Sequence, residues 1–221
     1  MGKMKQPFIT SVFTATSHHP FSIPPKYEGV FPQGKHPIFQ CIAYSDYSIR
    51  QFFIKMSEYD WYKNTLFVFV ADHTNIPIHD EYFTGLGRYS IPILFYHPES
   101  NLKGLVDSFP VQQIDIMPSV LSYLNYDKPY FAYGQDIFTT NPENKFIFNY
   151  NNGIYQFTNN KYFQQFDGDR TTAVYNHITD PLLRNNIKEK NNDQNASEML
   201  IKSIIQQYIV RMTENKLRFS E

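Results

Sequence analysis

An α/β fold with a mostly parallel sheet, followed by a small antiparallel meander and a terminal helix, is what this sequence predicts. Three observations carry that expectation. Residues 66–71 (LFVFVA) form an apolar run rich in β-branched and aromatic side chains, the pattern of a strand buried on both faces of a parallel sheet. Amphipathic helical stretches alternate with such runs over the first part of the chain. From residue 145 the pattern becomes short strands broken by Asn-Asn-Gly and Asn-Asn, as antiparallel hairpins require.

The elements follow in order. Residues 8–13 (FITSVF) read as a first short strand, and Pro20, Pro24, Pro25, Pro32 and Pro37 make the stretch beyond it a loop. Asp46 reads as the N-cap of a helix over about residues 47–59, with Ile49, Phe52, Phe53 and Met56 on one face. The 66–71 strand comes next, then a long polar loop from 73 to about 90, then a second buried strand at 91–96. Asp115 caps a further helix in which Pro118 is tolerated in the first turn and Val120, Leu121 and Leu124 face inward. Strands at 146–150, 153–157 and 161–166 make the meander, and residues 185–195 read as a polar, mobile linker. Ile201, Ile204, Ile205 and Tyr208 then space a terminal helix over 199–212. Three divisions result: 1–140, 141–184 and 185–221.

Bulk properties exclude several classes. The 221 residues carry a net charge of −1, so no basic face is available for nucleic acid. A lone cysteine, Cys41, makes no internal disulfide. The longest apolar run falls far short of the roughly 20 residues of a membrane span. The stretch Met1-Gly2-Lys3-Met4-Lys5-Gln6-Pro7 has two lysines but no apolar core of a signal peptide, so neither export signal nor membrane anchor is expected in these residues.

Chemistry concentrates at Asp72-His73, which closes the 66–71 strand. Carboxyl ends of strands open onto the crevice of an α/β sheet, and a carboxylate beside an imidazole suits a divalent cation. The plain alternative is a capping aspartate next to a surface histidine. A second candidate, His18-His19, also follows an apolar run. Neighbouring side chains in an extended segment point oppositely, so one of the two faces a site, His18 first and His19 second. An imidazole there would hold an anionic oxygen or shuttle a proton. His36, His97 and His177 read as surface or rim histidines, and His79, six residues beyond His73, reads as a surface loop histidine before it reads as a further metal ligand. Gln112-Gln113-Ile114-Asp115 reads as a capping arrangement before it reads as support for a site. No GxSxG elbow, phosphate-binding P-loop or GxGxxG is present.

Several segments in order resemble one family: TATSHHPFSIPPKY, Tyr44-Ser45-Asp46, WYKNTLFVFVADHTN, GRYSIPILFYHPES, QQIDIMPSVLSYLNY and Phe131-Ala132-Tyr133-Gly134-Gln135-Asp136. Together they are similar to the C-terminal half of a lipoteichoic-acid-synthase-like sulfatase of the alkaline phosphatase superfamily, in the style of Bacteroidetes membrane enzymes. The resemblance covers about residues 7–140 and implies a partial alkaline-phosphatase-like sandwich. It also implies one divalent metal, often manganese, with magnesium or zinc as alternatives. Asp72 and His73 match the family's C-terminal pair of metal ligands, and His18 matches the histidine that contacts the substrate's phosphate. The resemblance implies four protein ligands, and the other two, a glutamate and the nucleophilic threonine, lie in the family's N-terminal half. The chain starts just before the PF…SHHPF segment, so a complementing N-terminal half is the partner implied. Cys41 lies in Cys-Ile-Ala-Tyr-Ser, not in the Cys-x-Pro-x-Arg setting that sulfatases convert to formylglycine.

Two functions are therefore expected. One is a metal-dependent sulfatase or phosphoglycerol-transferase-like enzyme acting on sulfate or phosphate esters, lipid- or glycan-linked. The family does this at the outer face of the cytoplasmic membrane. The other is a non-catalytic remnant or binding module that keeps the substrate-side loops.

Overall fold

The computed structural model describes residues 4–106, 109–190 and 194–219. The expectations for residues 1–3 and for positions 191–193 of the linker lie outside the described residues. The chain divides into two units: 1–67 with 95–102, and 68–94 with 103–221.

The first unit is organised around α1 (Ile38–Met56). This helix starts well before the expected position. Pro37, at φ −54° and ψ −28°, presets the helical turn, and its carbonyl accepts from Cys41 N at 3.4 Å. Asp46 thus lies mid-helix instead of at the cap, where it pairs with Arg50 at 3.7 Å. Phe52 and Phe53 do face inward, and Phe53 meets Tyr62, Phe67 and Tyr96 at ring separations of 6.2, 5.1 and 5.4 Å. Tyr62 and Tyr96 share a hydroxyl contact of 3.2 Å. Burial, then that hydrogen bond and the charge of Tyr96, push the Tyr62 hydroxyl up to about 12. Residues 8–13 form no strand: Ile9, Val12 and Phe13 stay exposed, so neither a partner strand nor a core face fixes them.

β1 (Phe67–Val70) and β2 (Ile93–Tyr96) pair in a two-stranded sheet. β1 is half-buried, not buried on both faces as its composition suggested, with Val70 43% exposed. Two 3-10 turns, Asp80–Phe83 and Gly87–Tyr89, occupy the loop between the strands. α2 (Ile116–Tyr123) follows a 3-10 turn over Gln113–Asp115. Pro118 and Ser119 are its buried residues, whereas Leu124 lies at its end, 63% exposed.

The second unit contains the meander. β3 (Ile147–Asn151), β4 (Ile154–Thr158), β5 (Tyr162–Phe166) and β6 (Thr171–Asn176) pair antiparallel in sequence order. Asn152 and Gly153, at φ 49° and 86°, make the tight β3–β4 turn that Asn-Gly favours. β6 adds a strand beyond the three expected. α3 (Gln194–Thr213) is longer than expected and seats Ile201 against Phe157 and Phe166, flanked by Phe146, Phe148, Tyr155 and Ile205. A polar chain also ties helix to sheet. Gln164 Nε2 donates to Thr171 Oγ1, which donates to Glu198, which accepts from Lys202, each at 2.7 Å. Among the described residues, no helix is long and apolar enough to cross a membrane.

Candidate functional site

β1 ends at Val70 and turns out Asp72 and His73, whose side chains are 57% and 69% exposed. The turn closes on itself: His73 N donates to Asp72 Oδ1 at 3.0 Å, leaving Oδ2 directed at His73 Nε2, 3.5 Å away. His73 Nδ1 lies 2.6 Å from the Thr74 carbonyl. A carbonyl only accepts, so Nδ1 carries the proton and the neutral ring keeps its lone pair on Nε2. That tautomer is the one a metal-binding histidine adopts when its other nitrogen is held by a carbonyl. Two donors bound at about 2.0–2.2 Å to a tetrahedral cation lie roughly 3.4 Å apart, close to the separation of Oδ2 and Nε2 here. The separation of the pair is one at which both atoms could reach the same divalent ion. Among the described residues, no group of three or more His, Cys, Asp or Glu side chains is gathered to hold one.

Gln113 supports this turn from 41 positions away. Its Nε2 donates to the carbonyls of Ala71 and Asp72 at 2.8 and 2.9 Å. Gln113 is in turn placed by Asp115, which is 3% exposed and accepts from the main-chain N–H of Gln112 (2.9 Å) and of Gln135 (2.7 Å). Burial raises the Asp115 carboxyl above its usual range, while those two N–H bonds and the Lys145 charge oppose the rise. Lys145 is buried as well, donating to the Ile137 carbonyl at 2.6 Å with its Nζ 4.1 Å from the centre of the Phe109 ring. Gly134 lets the backbone before Gln135 come close, since a Cβ there would lie 2.0 Å from the Ile114 carbonyl oxygen. Capping thus accounts for Asp115, and support of the Asp72-His73 turn accounts for Gln113.

A cleft of about 550 Å³ adjoins His73, lined also by Ile76, Ile78, Tyr82, Phe83 and Arg88. Thr74 Oγ1 donates to the Arg88 carbonyl at 2.6 Å and ties the two sides of the loop together. The loop was expected to be polar, and its exposed isoleucines and aromatic rings were the sequence signal for a cleft that the expectation passed over.

His18 and His19 belong to the other unit. His18 N donates to Ala15 O and Phe21 N to His18 O, at 3.0 and 2.8 Å, so consecutive turns fix His18. Its Nδ1 is 2.9 Å from the His19 carbonyl, which leaves Nε2 as its outward nitrogen. The His19 ring rests edge-on against Phe21. The remaining histidines have structural contacts. His36 Nδ1 accepts from Ile38 N, His97 Nδ1 accepts from Glu99 N, His177 Nε2 donates to Asn159 O, and His79 lies beside the Tyr82 ring.

Comparison with known proteins gives a consistent picture. A family model described as Sulfatase matches residues 2–126. Lipoteichoic acid synthase 1 of Bacillus subtilis (strain 168) is 24% identical over 163 residues, covering 66% of this chain and 25% of that protein. An arylsulfatase of Clostridium perfringens (strain 13 / Type A) is 31% identical over 104 residues, 44% of this chain and 22% of that protein. The chain therefore spans about a quarter of the length of the curated relatives it matches. Among solved structures, a protein in the alkaline phosphatase superfamily from Vibrio parahaemolyticus aligns with a TM-score of 0.64 at 18% identity, covering 88% of this chain and 51% of that one. At that identity the likeness is one of fold.

Proposed function

This chain belongs to the sulfatase family, and from that premise we propose that it serves a metal-dependent hydrolase or transferase acting on sulfate or phosphate esters. The observation that supports this most is the convergence of Asp72 Oδ2 and His73 Nε2 at 3.5 Å, with the other histidine nitrogen occupied by the Thr74 carbonyl. A divalent cation bound there, manganese first and magnesium or zinc as alternatives, would supply positive charge against the charge that develops on the transferring group. Asp72 offers a carboxylate to such an ion, and His73 offers a lone pair already aimed by Nδ1.

His18 binds the anionic oxygen of the ester on this reading, with His19 as the second choice. With Nδ1–H committed to the His19 carbonyl, His18 donates through Nε2 when its ring is protonated. The glutamate, the nucleophilic threonine and any remaining ligand come from other residues, as in the family's N-terminal half. Residues 1–140 form the catalytic-type portion, with β1 and β2 part of a mostly parallel sheet. Residues 141–184 form an antiparallel subdomain, and 185–221 a linker and terminal helix. The ester carries sulfate or a phosphate-linked group attached to lipid or glycan, and the whole protein works at the outer face of the cytoplasmic membrane.

A second reading, a binding module without turnover, is favoured by one observation: among the described residues, Asp72 and His73 gather no third acidic, histidine or cysteine ligand. Titration calorimetry with manganese on the chain, its Asp72→Ala variant and its His73→Ala variant tests the first reading. Micromolar binding that both substitutions abolish supports it. A folded chain with no affinity, or with affinity that survives both substitutions, removes the metal half-site and leaves the binding module.

A further inference from the structure

We propose that Gln112 is a positioning residue for the Asp72-His73 turn, joining that turn to the antiparallel meander through Gln113; its functional consequence rests on the metal site proposed above. β3 stands at one end of the sheet order β3-β4-β5-β6, so among the described residues its outer edge has no neighbouring strand. Unpaired edge groups are a liability that a side chain can answer. A primary amide carries a carbonyl acceptor and an N–H donor, the same pair that a facing peptide group offers. Gln112 uses both: Nε2 donates to the Phe146 carbonyl at 3.3 Å, and Oε1 accepts from Phe148 N at 3.1 Å. Gln135 continues the edge, its Oε1 accepting from Phe146 N at 3.3 Å and its Nε2 donating to the Asn144 carbonyl at 2.9 Å.

The main chain carries this hold to the site. Gln112 is extended, at φ −138° and ψ 163°, and neighbouring side chains of an extended segment point to opposite sides. Gln113 accordingly reaches the other way, to the carbonyls of Ala71 and Asp72 at 2.8 and 2.9 Å. Asp115 locks the main chain beside them. Its carboxylate accepts from Gln112 N at 2.9 Å, and its own N–H donates to the Gln112 carbonyl at 3.0 Å. Two adjacent glutamines thus hold a sheet edge with one amide and the candidate metal turn with the other. The peptide between them is rigid, so a displaced Gln112 carries Gln113 with it. Capping of the β3 edge accounts for the Gln112 amide alone. The engaged Gln113 amide turns that cap into a link.

The test compares wild type with Gln112→Met, Gln113→Ala and the double variant, by NMR of the His73 ring nitrogens in the metal-free chain and by manganese titration calorimetry. Expected are displaced His73 ring signals in Gln112→Met and a manganese affinity lowered about fivefold. That is less than the loss of about tenfold for Gln113→Ala, since Gln112 acts at one remove. The double variant should lose about tenfold, no more than Gln113→Ala alone, because one route carries both effects. Losses that multiply to about fiftyfold overturn the proposal. So do ring signals and affinity that stay unchanged in Gln112→Met. Ile201→Val, which thins the contact of α3 with Phe157 and Phe166, is the comparison for lowered stability. Its His73 signals should stay in place. Equal displacement there also overturns the proposal, since a general loosening then suffices. If Gln112→Met does not fold, Gln112→Asn, which keeps the amide but shortens its reach, is read by the same outcomes. If wild type binds no manganese, the metal site proposed above falls and the ring signals alone decide on Gln112.

Discussion

Gln113 donates its side-chain amide to the main-chain carbonyl of Asp72 at 2.9 Å, and to that of Ala71 at 2.8 Å, bridging 41 and 42 positions of sequence. One exposed amide thus fixes the two peptide planes that flank the Asp72 Cα, Ala71–Asp72 and Asp72–His73. It touches neither candidate donor atom, so its role is positioning. On the metal site proposed above, Gln113→Ala is expected to weaken manganese binding about tenfold, as loss of supporting bonds around metal ligands does. Global stability should fall by no more than about 1 kcal/mol, since water can replace an exposed bond. Calorimetry and urea unfolding on the same variant separate the two effects. A loss of stability without a loss of affinity would make Gln113 merely structural.

Asp115 is the buried post behind Gln113. Asp115→Ala leaves the main-chain N–H groups of Gln112 and Gln135 without their acceptor, and removes one of the two negative charges near Lys145, Asp136 being the other. The expected loss is about 3 kcal/mol in urea unfolding, with Asp115→Asn costing less because one acceptor oxygen remains. Equal stability of Asp115→Ala and wild type would show that the second unit does not rely on this carboxylate.

Gly87 sets the frame of the cleft. Gly87→Ala places a methyl group against the Glu81 carbonyl and must move one of the two 3-10 turns. A destabilisation of about 2–3 kcal/mol is expected, within the usual cost of overpacking. Chemical shifts of Tyr82 and Phe83 should move with it, and unmoved rings would show that the cleft wall is independent of this contact.

Glu198 should give the helix–meander contact a pH dependence. Burial works to raise its carboxyl, but the hydrogen bonds from Lys202 and Thr171 outweigh that and hold it below the ordinary 4.5. A lowered folded value means that the stabilisation is full above the ordinary value and fades as pH falls through the folded one. Glu198→Gln should therefore cost roughly 1–2 kcal/mol near neutral pH. The gap from wild type should close under acid. Thermal unfolding at a series of pH values checks this, and a gap that stays constant into acid would exclude the linkage.

Local signals carried much of the fold. The Asn152-Gly153 turn, the three meander strands and the inward Ile201 and Ile205 of α3 were legible because each depends on neighbours a few positions away. The resemblance to lipoteichoic-acid-synthase-like sulfatases read from the motifs is borne out by the matches to the Sulfatase family, to the Bacillus subtilis synthase and to a fold of the alkaline phosphatase superfamily. Other signals misled. Asp46 has the chemistry of an N-cap, yet Pro37 starts α1 earlier. Residues 8–13 have strand composition but form no strand, and 9–13 stay exposed, because a strand needs a partner that composition does not supply. β6, with its Thr171-Thr172-Ala173-Val174-Tyr175 run, had a readable signal that the meander expectation stopped short of.

By itself the sequence determined the adjacency of Asp72 and His73 and their place just after a β-strand, since both follow from covalent neighbours and a short apolar run. It also determined the hairpin turns, where Asn and Gly are the residues that accept positive φ. Tertiary structure alone decided that Gln113 reaches back to the Asp72 turn, and that Asp115 is buried with two N–H partners. It also decided that Ile76, Ile78, Tyr82 and Phe83 line a cleft instead of filling a core. Those relations join residues far apart in the chain. Which distant groups meet is set by the packing of the whole unit, and no local period encodes it.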